Sequence, residues 1–241
     1  LLYVGSNGHR RVQVAIASGA DAPWRIALRG PRTGGARVAA APNAAVFSTF
    51  GRGGLGSVYL VRAGRTLGPT QRLSGRGRIR SVAVATNARG DALVAWDRSG
   101  RLQARFWFAR SKRLSKVQTL GRTNAALRLT AALGSDRRAF VAWVDQGQNE
   151  GSASAGTLRV VARTARRGFG APRQLERYRV DTIPGGTALQ AAYFGSGRGV
   201  LAWSGLHAVR AAFVDGRAVG APQDLAPIAP DPSWPAVGLG E

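Results

Sequence analysis

Two polar stretches hold the side chains best suited to chemistry. One is Asp145-Gln146-Gly147-Gln148-Asn149-Glu150-Gly151-Ser152; the other is Glu176-Arg177-Tyr178-Arg179-Val180-Asp181. Two carboxylates about 5–10 Å apart can hydrolyse a glycosidic bond, one as acid and the other as base or nucleophile. Asp145, Glu150, Glu176 and Asp181 are the acids placed to supply such a pair, and with Arg177, Tyr178 and Arg179 they form the candidate ligand-binding set. Two other chemistries fail on supply. His9 and His207 are the only histidines and there is no cysteine, which excludes a structural zinc site and a Cys nucleophile. A Ser/His/Asp arrangement stays open on supply, but no Gly-x-Ser-x-Gly elbow opens a helix to carry it. Gly51-Arg52-Gly53-Gly54-Leu55-Gly56 has the composition of a phosphate loop, but it joins two strands with no helix behind it and reads as a hairpin. Carboxylates and carbonyls in a turn would suffice for calcium, but no Asp-rich loop calls for it. The sequence therefore assigns no catalytic residue, no metal ligand and no cofactor.

The elements that must carry these residues repeat along the chain. Ala92-Leu93-Val94-Ala95-Trp96 returns as Ala139-Phe140-Val141-Ala142-Trp143 and as Gly199-Val200-Leu201-Ala202-Trp203. Around Trp96, Ser81 to Thr86 alternates as a strand, Asn87 to Asp91 turns, Arg101 to Arg110 alternates again, and Lys116 to Leu120 adds a short fourth strand. Such a run predicts a four-stranded antiparallel meander. The fourth strands share a Gln and Leu signature at Gln71-Arg72-Leu73, Gln118-Thr119-Leu120, Gln174-Leu175 and Gln223-Asp224-Leu225. Trp96 and Trp143 stand 47 residues apart, and Trp143 and Trp203 stand 60 apart, the excess falling in the insertion Gln146 to Gly156. The two polar stretches are thus departures from a repeat, where function tends to be grafted.

A four-strand unit of about 40–50 residues is the signature of a β-propeller blade. The expected fold is all-β, a single propeller domain over 1–241. Its blades are 1–28 plus 235–239, 37–73, 81–120, 127–175 and 188–225. The chain opens on a second strand, Leu1 to Val4, and ends on a lone first strand, Pro235 to Leu239. Pairing the C-terminal strand with the N-terminal blade would close a five-bladed ring and remove its open edges, the alternative being a piece of a larger ring of six or seven blades. Trp96, Trp143 and Trp203 occupy one position in the unit and are expected to fill the wedge between sheets rather than bind a ligand.

The formal net charge is +23, from 35 basic residues that are nearly all Arg. Placed on the expected blades, the basic residues divide evenly between the two faces, for example Arg10, Arg76, Arg98 and Arg177 on one and Arg65, Arg89, Arg137 and Arg198 on the other. Scatter of this kind implies general attraction for polyanions rather than a dedicated nucleic-acid groove. No stretch approaches the roughly 20 apolar residues of a membrane span.

The run from Asn87-Ala88-Arg89-Gly90-Asp91 through Trp96, followed by a third strand, a Gly-x-Pro step and the Gln and Leu ending, resembles the sialidase-like repeats of secreted actinobacterial β-propeller proteins. The Ser-x-Asp-x-Gly-x-x-Trp box of true sialidases is missing, and neither their arginine triad nor their Tyr/Glu nucleophile pair maps onto this chain. The resemblance implies the propeller architecture and a secreted or cell-surface setting. The expected function is noncatalytic binding or scaffolding by a monomer, with a carbohydrate or protein partner on the face that carries the connections between blades. The alternative is a sialidase-like or other propeller-fold glycoside hydrolase.

Overall fold

The computed structural model describes residues 2–6, 12–16, 25–29, 35–50, 54–62, 68–124, 126–150, 153–165, 167–179, 189–194, 197–204 and 208–227. The expected closing strand at 235–239 lies outside them, as do His9, His207 and Asp181. The described residues are all-β and fall into two compact units, Leu1–Thr119 and Leu120–Glu241.

In unit 1, β1 (Leu2–Ser6), β2 (Val12–Ile16) and β3 (Arg25–Arg29) form a three-stranded antiparallel sheet. β4 (Gly35–Ala41), β5 (Ala44–Phe50), β6 (Leu55–Arg62) and β7 (Gln71–Arg72) make one meander. β8 (Gly77–Thr86), β9 (Ala92–Arg98), β10 (Arg101–Phe108) and β11 (Arg113–Leu114) make the next, and β12 (Gln118–Arg122), which begins in unit 1 and ends in unit 2, also pairs with β10. The two meanders, expected as separate sheets, are joined where Leu55 pairs with Arg78 and Gly56 with Gly77. Bare backbone at Gly77 leaves room for the Arg98 side chain of β9: a Cβ there would fall 2.7 Å from Cγ of Arg98.

In unit 2, β13 (Ala126–Leu133), β14 (Ala139–Glu150), β15 (Ala153–Arg163) and β16 (Arg173–Arg179) form a four-stranded meander. β17 (Leu189–Tyr193), β18 (Arg198–Ser204), β19 (Ala208–Asp215), β20 (Ala218–Val219) and β21 (Gln223–Pro227) form the last. β21 pairs with β19 as β12 does with β10, so each Gln and Leu signature folds back onto its third strand. The short β11 and β20 were not foreseen; each is a two-residue return onto the third strand. No described sheet closes on itself.

The second strands are near-continuous apolar runs because both of their faces are covered, as in any sheet sandwiched between others. In β9 every residue but Arg98 is buried. Trp96, Trp143 and Trp203 are all 0% exposed, so they are core as expected. Each removes an area worth about 4–6 kcal/mol from water. In unit 2 one face of the β13–β16 sheet, with Phe140, Ala142, Val144, Leu158 and Val160, packs against Leu201, Trp203, Ala212 and Val214 of the β17–β21 sheet. In unit 1 Val46, Leu60, Val94 and Trp96 share one cluster.

Candidate functional site

The insertion after Trp143 does not leave the sheet as a loop. β14 runs on through Glu150 and β15 begins at Ala153, so the inserted residues lengthen a hairpin, with Gln146 opposite Gly156 and Glu150 opposite Ala153. A bulge between Gln146 and Asn149 absorbs the irregular Gly147-Gln148 step. The second stretch, expected as a connection between blades, is likewise strand: Glu176 to Arg179 belongs to β16 and pairs with β15. Backbone groups that would otherwise lack partners find them in the extended ladder.

Register places the candidate residues in rows. Asp145, Thr157 and Arg177 are directly opposed across three strands. Gln146, Gly156 and Tyr178 form the next row, and Arg179 lies opposite Ala155 beyond it. Glu150 sits five residues further along β14 than Asp145, about 16 Å at strand rise. The sheet therefore gathers Asp145, Arg177, Tyr178 and Arg179 at one end and carries Glu150 away along the hairpin.

Of the candidate carboxylates, Asp145 and Glu176 are committed to structure. Asp145 is 7% exposed and accepts hydrogen bonds from Oγ1 of Thr123 at 2.7 Å and from the backbone N of Asn124 at 2.9 Å, clamping the segment before β13 onto β14. Glu176 has a side chain 12% exposed. It accepts hydrogen bonds from the indole N–H of Trp203 and, at 3.2 Å, from Arg210, whose Nε donates to Asp224 at 2.7 Å. The hydrogen bond to Asp224, reinforced by both carboxylates against partial desolvation, holds the Arg210 guanidinium charged well into alkaline solution. Arg177 is exposed and donates at 3.4 Å to Gln174 of its own strand.

Directly opposed residues share a face and successive residues alternate. Asp145 shares its row with Thr157 and Arg177; Glu176 shares its row with Leu158 and Val144. Asp145 and Glu176 therefore project from opposite faces of one sheet and do not form an acid/base pair. Among the other described acids, Asp215 and Asp224 pair with Arg138 and Arg210, and three more hold backbone at strand ends and turns. Asp97 accepts from the N of Gly100, Asp136 from the N of Arg138, and Asp91 reaches across to the N of Ala109. Among the described residues no three His, Cys, Asp or Glu side chains gather as a metal site would require, and no helix is long and apolar enough to cross a membrane.

Arg210 and Asp224 did not stand out in the sequence, yet they complete the Glu176 network. The available signal was positional. Arg210 lies seven residues after Trp203, as Gln103 does after Trp96, and each is the directly opposed cross-strand partner of its tryptophan.

No family model matches the chain, and no curated protein matches it. Solved structures do. A prolyl endopeptidase aligns with 99% of this chain and 36% of its own length, at a TM-score of 0.54 and 12% identity. An endo-arabinase from Bacteroides thetaiotaomicron aligns with 96% of this chain and 94% of its own, at a TM-score of 0.42 and 11% identity. The β-propeller domain of the trilobed protease from Pyrococcus furiosus aligns with 93% and 80%, at 0.41 and 10%. The chain spans about a third of the length of the prolyl endopeptidase, and at such identity the likeness bears on the fold alone.

Proposed function

We propose that the chain is a noncatalytic binding or scaffolding module, an extracytoplasmic β-propeller whose partner is a carbohydrate or a protein. In this reading the meanders are blades, five in number. The segment 235–239 completes the first of them, and the partner is held at the end of the β13–β16 sheet that carries Arg177, Tyr178, Arg179 and the extended hairpin. Recurrence of one meander with its tryptophan in phase supports the blades. The observation that carries the noncatalytic reading is the disposition of Asp145 and Glu176: both are tied into hydrogen bonds that hold neighbouring segments together, and they face opposite ways. A retaining or inverting glycosidase needs two carboxylates facing one bond.

The test is an array of neutral and acidic glycans, with duplex DNA as control, probed at low and high salt. A parallel arm uses a variant in which Gln146 to Gly156 is replaced by a short turn. Salt-resistant retention of a glycan or protein that the shortened variant loses is the expected result. Binding to every polyanion that disappears with added salt would reduce the arginines to a diffuse field. Hydrolysis of an aryl glycoside by the parent chain, abolished in Glu176→Gln, would overturn the noncatalytic reading.

A further inference from the structure

The three repeated tryptophans are equally buried but their indole N–H groups are satisfied in different ways. Trp96 donates at 3.0 Å to Oε1 of Gln103, directly opposite on the next strand. Trp203 donates to Glu176, which also receives Arg210, the residue directly opposite Trp203. Trp143 lies directly opposite Arg159, the same position again, yet both the indole Nε1 of Trp143 and the Nε of Arg159 are buried without a hydrogen-bond partner among the described residues.

The missing acceptor can be located by repeat equivalence. Glu176 lies in Leu175-Glu176-Arg177 of the fourth strand that precedes Trp203; the same place before Trp143 is Leu120-Gly121-Arg122. Geometry agrees with the alignment. A Cβ on Gly121 would point at the Trp143 ring, 3.8 Å from Cζ2 and 4.0 Å from Cη2. Glycine thus stands where the neighbouring repeat places the carboxylate that receives an indole and a guanidinium. A buried donor without a partner costs about 1–3 kcal/mol, and more when it is charged. Two such donors on adjacent strands, one of them cationic, form a cradle for an anion. Nearby acceptors on the same face are occupied: Asp145 by Thr123 and Asn124, Gln174 by Arg177. Cγ of Pro172 would lie 3.3 Å from the same Cβ, so the space beside Gly121 is narrow.

We propose that Trp143 Nε1 and Arg159 Nε bind a small monovalent anion of formate or chloride size, which takes the role that carboxylates play in the neighbouring repeat, Glu176 for Trp203 and Nη1 of Arg210, and Asp224 for its Nε. The site does not depend on the proposed function; a chain that binds no glycan still carries it.

The indole N–H resonances of the 15N-labelled protein test this directly, titrated with sodium formate and, separately, sodium chloride. Trp143→Phe identifies the Trp143 signal by its loss. The expected result is a saturable shift of that signal with either anion, while those of Trp96 and Trp203, already bonded within the protein, move only slightly. Arg159→Gln recreates the Trp96 and Gln103 pairing inside this repeat and should abolish the response. Gly121→Glu should do the same by supplying the carboxylate, with the other indole signals reporting that the fold is kept. A Trp143 signal that moves no more than those of Trp96 and Trp203 with both anions would overturn the proposal and assign the two donors to bound water. A saturable response that survives unchanged in Arg159→Gln would overturn it too.

Discussion

Replacing Glu176 offers the sharpest perturbation, because one carboxylate serves a fully buried donor and a cation at once. In Glu176→Ala the indole N–H of Trp203 loses its acceptor at a 0% exposed position, which costs about 1–3 kcal/mol. The ion pair with Arg210 adds at most about 1 kcal/mol, since that side chain is 34% exposed and keeps Asp224. The sum, about 1–4 kcal/mol, corresponds in a chain of this length to a fall in Tm on the order of 2–16 °C. Glu176→Gln retains an oxygen for the indole and loses only the charge, about 1 kcal/mol and roughly 2–4 °C. Differential scanning calorimetry of parent, Ala and Gln variants measures both. The double variant Glu176→Ala with Trp203→Phe should cost less than its two single changes combined, because the hydrogen bond can be broken only once. A Glu176→Ala protein within about 1 °C of the parent would refute the claim that this carboxylate is structural, and would free it for ligand or chemistry.

Gly199→Ala should cost about 1–3 kcal/mol by overpacking, since its Cβ would come within 2.5 Å of Cε1 of Phe140, a side chain with no exposed surface; denaturant titration reads the loss. Tyr193 packs its ring on Phe140 with centroids 5.4 Å apart, and burial, helped by Asp136 and Asp215 against Arg138, pushes its phenol above its usual value. A raised folded-state pKa stabilises the protein fully below the unfolded value near 10 and loses that contribution as pH climbs beyond it. Thermal stability should therefore fall above about pH 10, and Tyr193→Phe should flatten that fall. If the proposed ring closure holds, deleting residues 231–241 should lower Tm and promote aggregation through an uncovered strand edge, whereas an unchanged melting curve would remove the closing role from this segment.

What was legible in the sequence is what the repeat enforces. Ala92 to Trp96 and its counterparts read as buried second strands because apolar runs ending in Trp have nowhere else to go, and all three tryptophans are core. The fourth strands were legible from their Gln and Leu endings, and each pairs with its third strand. The two polar stretches were marked as departures, but not what they would become. Composition made Gln146 to Gly156 look like a loop, yet once β14 and β15 are paired through Trp143, extending the ladder satisfies the inserted backbone. Glu176 was picked out as an acid near a ligand face. Strand parity, which turns it towards Val144 and Leu158 and away from Asp145, depends on a bulge between Leu158 and Arg159 that no residue pattern announces.

The individuality of this chain lies in how each repeat answers the same physical demand. An indole buried in a wedge brings one donor that must be met, and the cross-strand residue beside it is the natural place to meet it. Unit 1 uses an amide, Gln103, and the demand ends there. In unit 2 that position is arginine twice, which adds a second donor and a charge where an acceptor was needed, so the acceptor must come from elsewhere. Glu176 supplies it for Trp203 and ties the fourth strand of one meander to the next, making a possible catalytic acid into a fastener. Gly121 supplies none for Trp143. By type and spacing alone such a carboxylate looks like chemistry; set against the donors it must satisfy it is accounted for, and Trp143 and Arg159 then stand out as facing donors with no partner among the described residues.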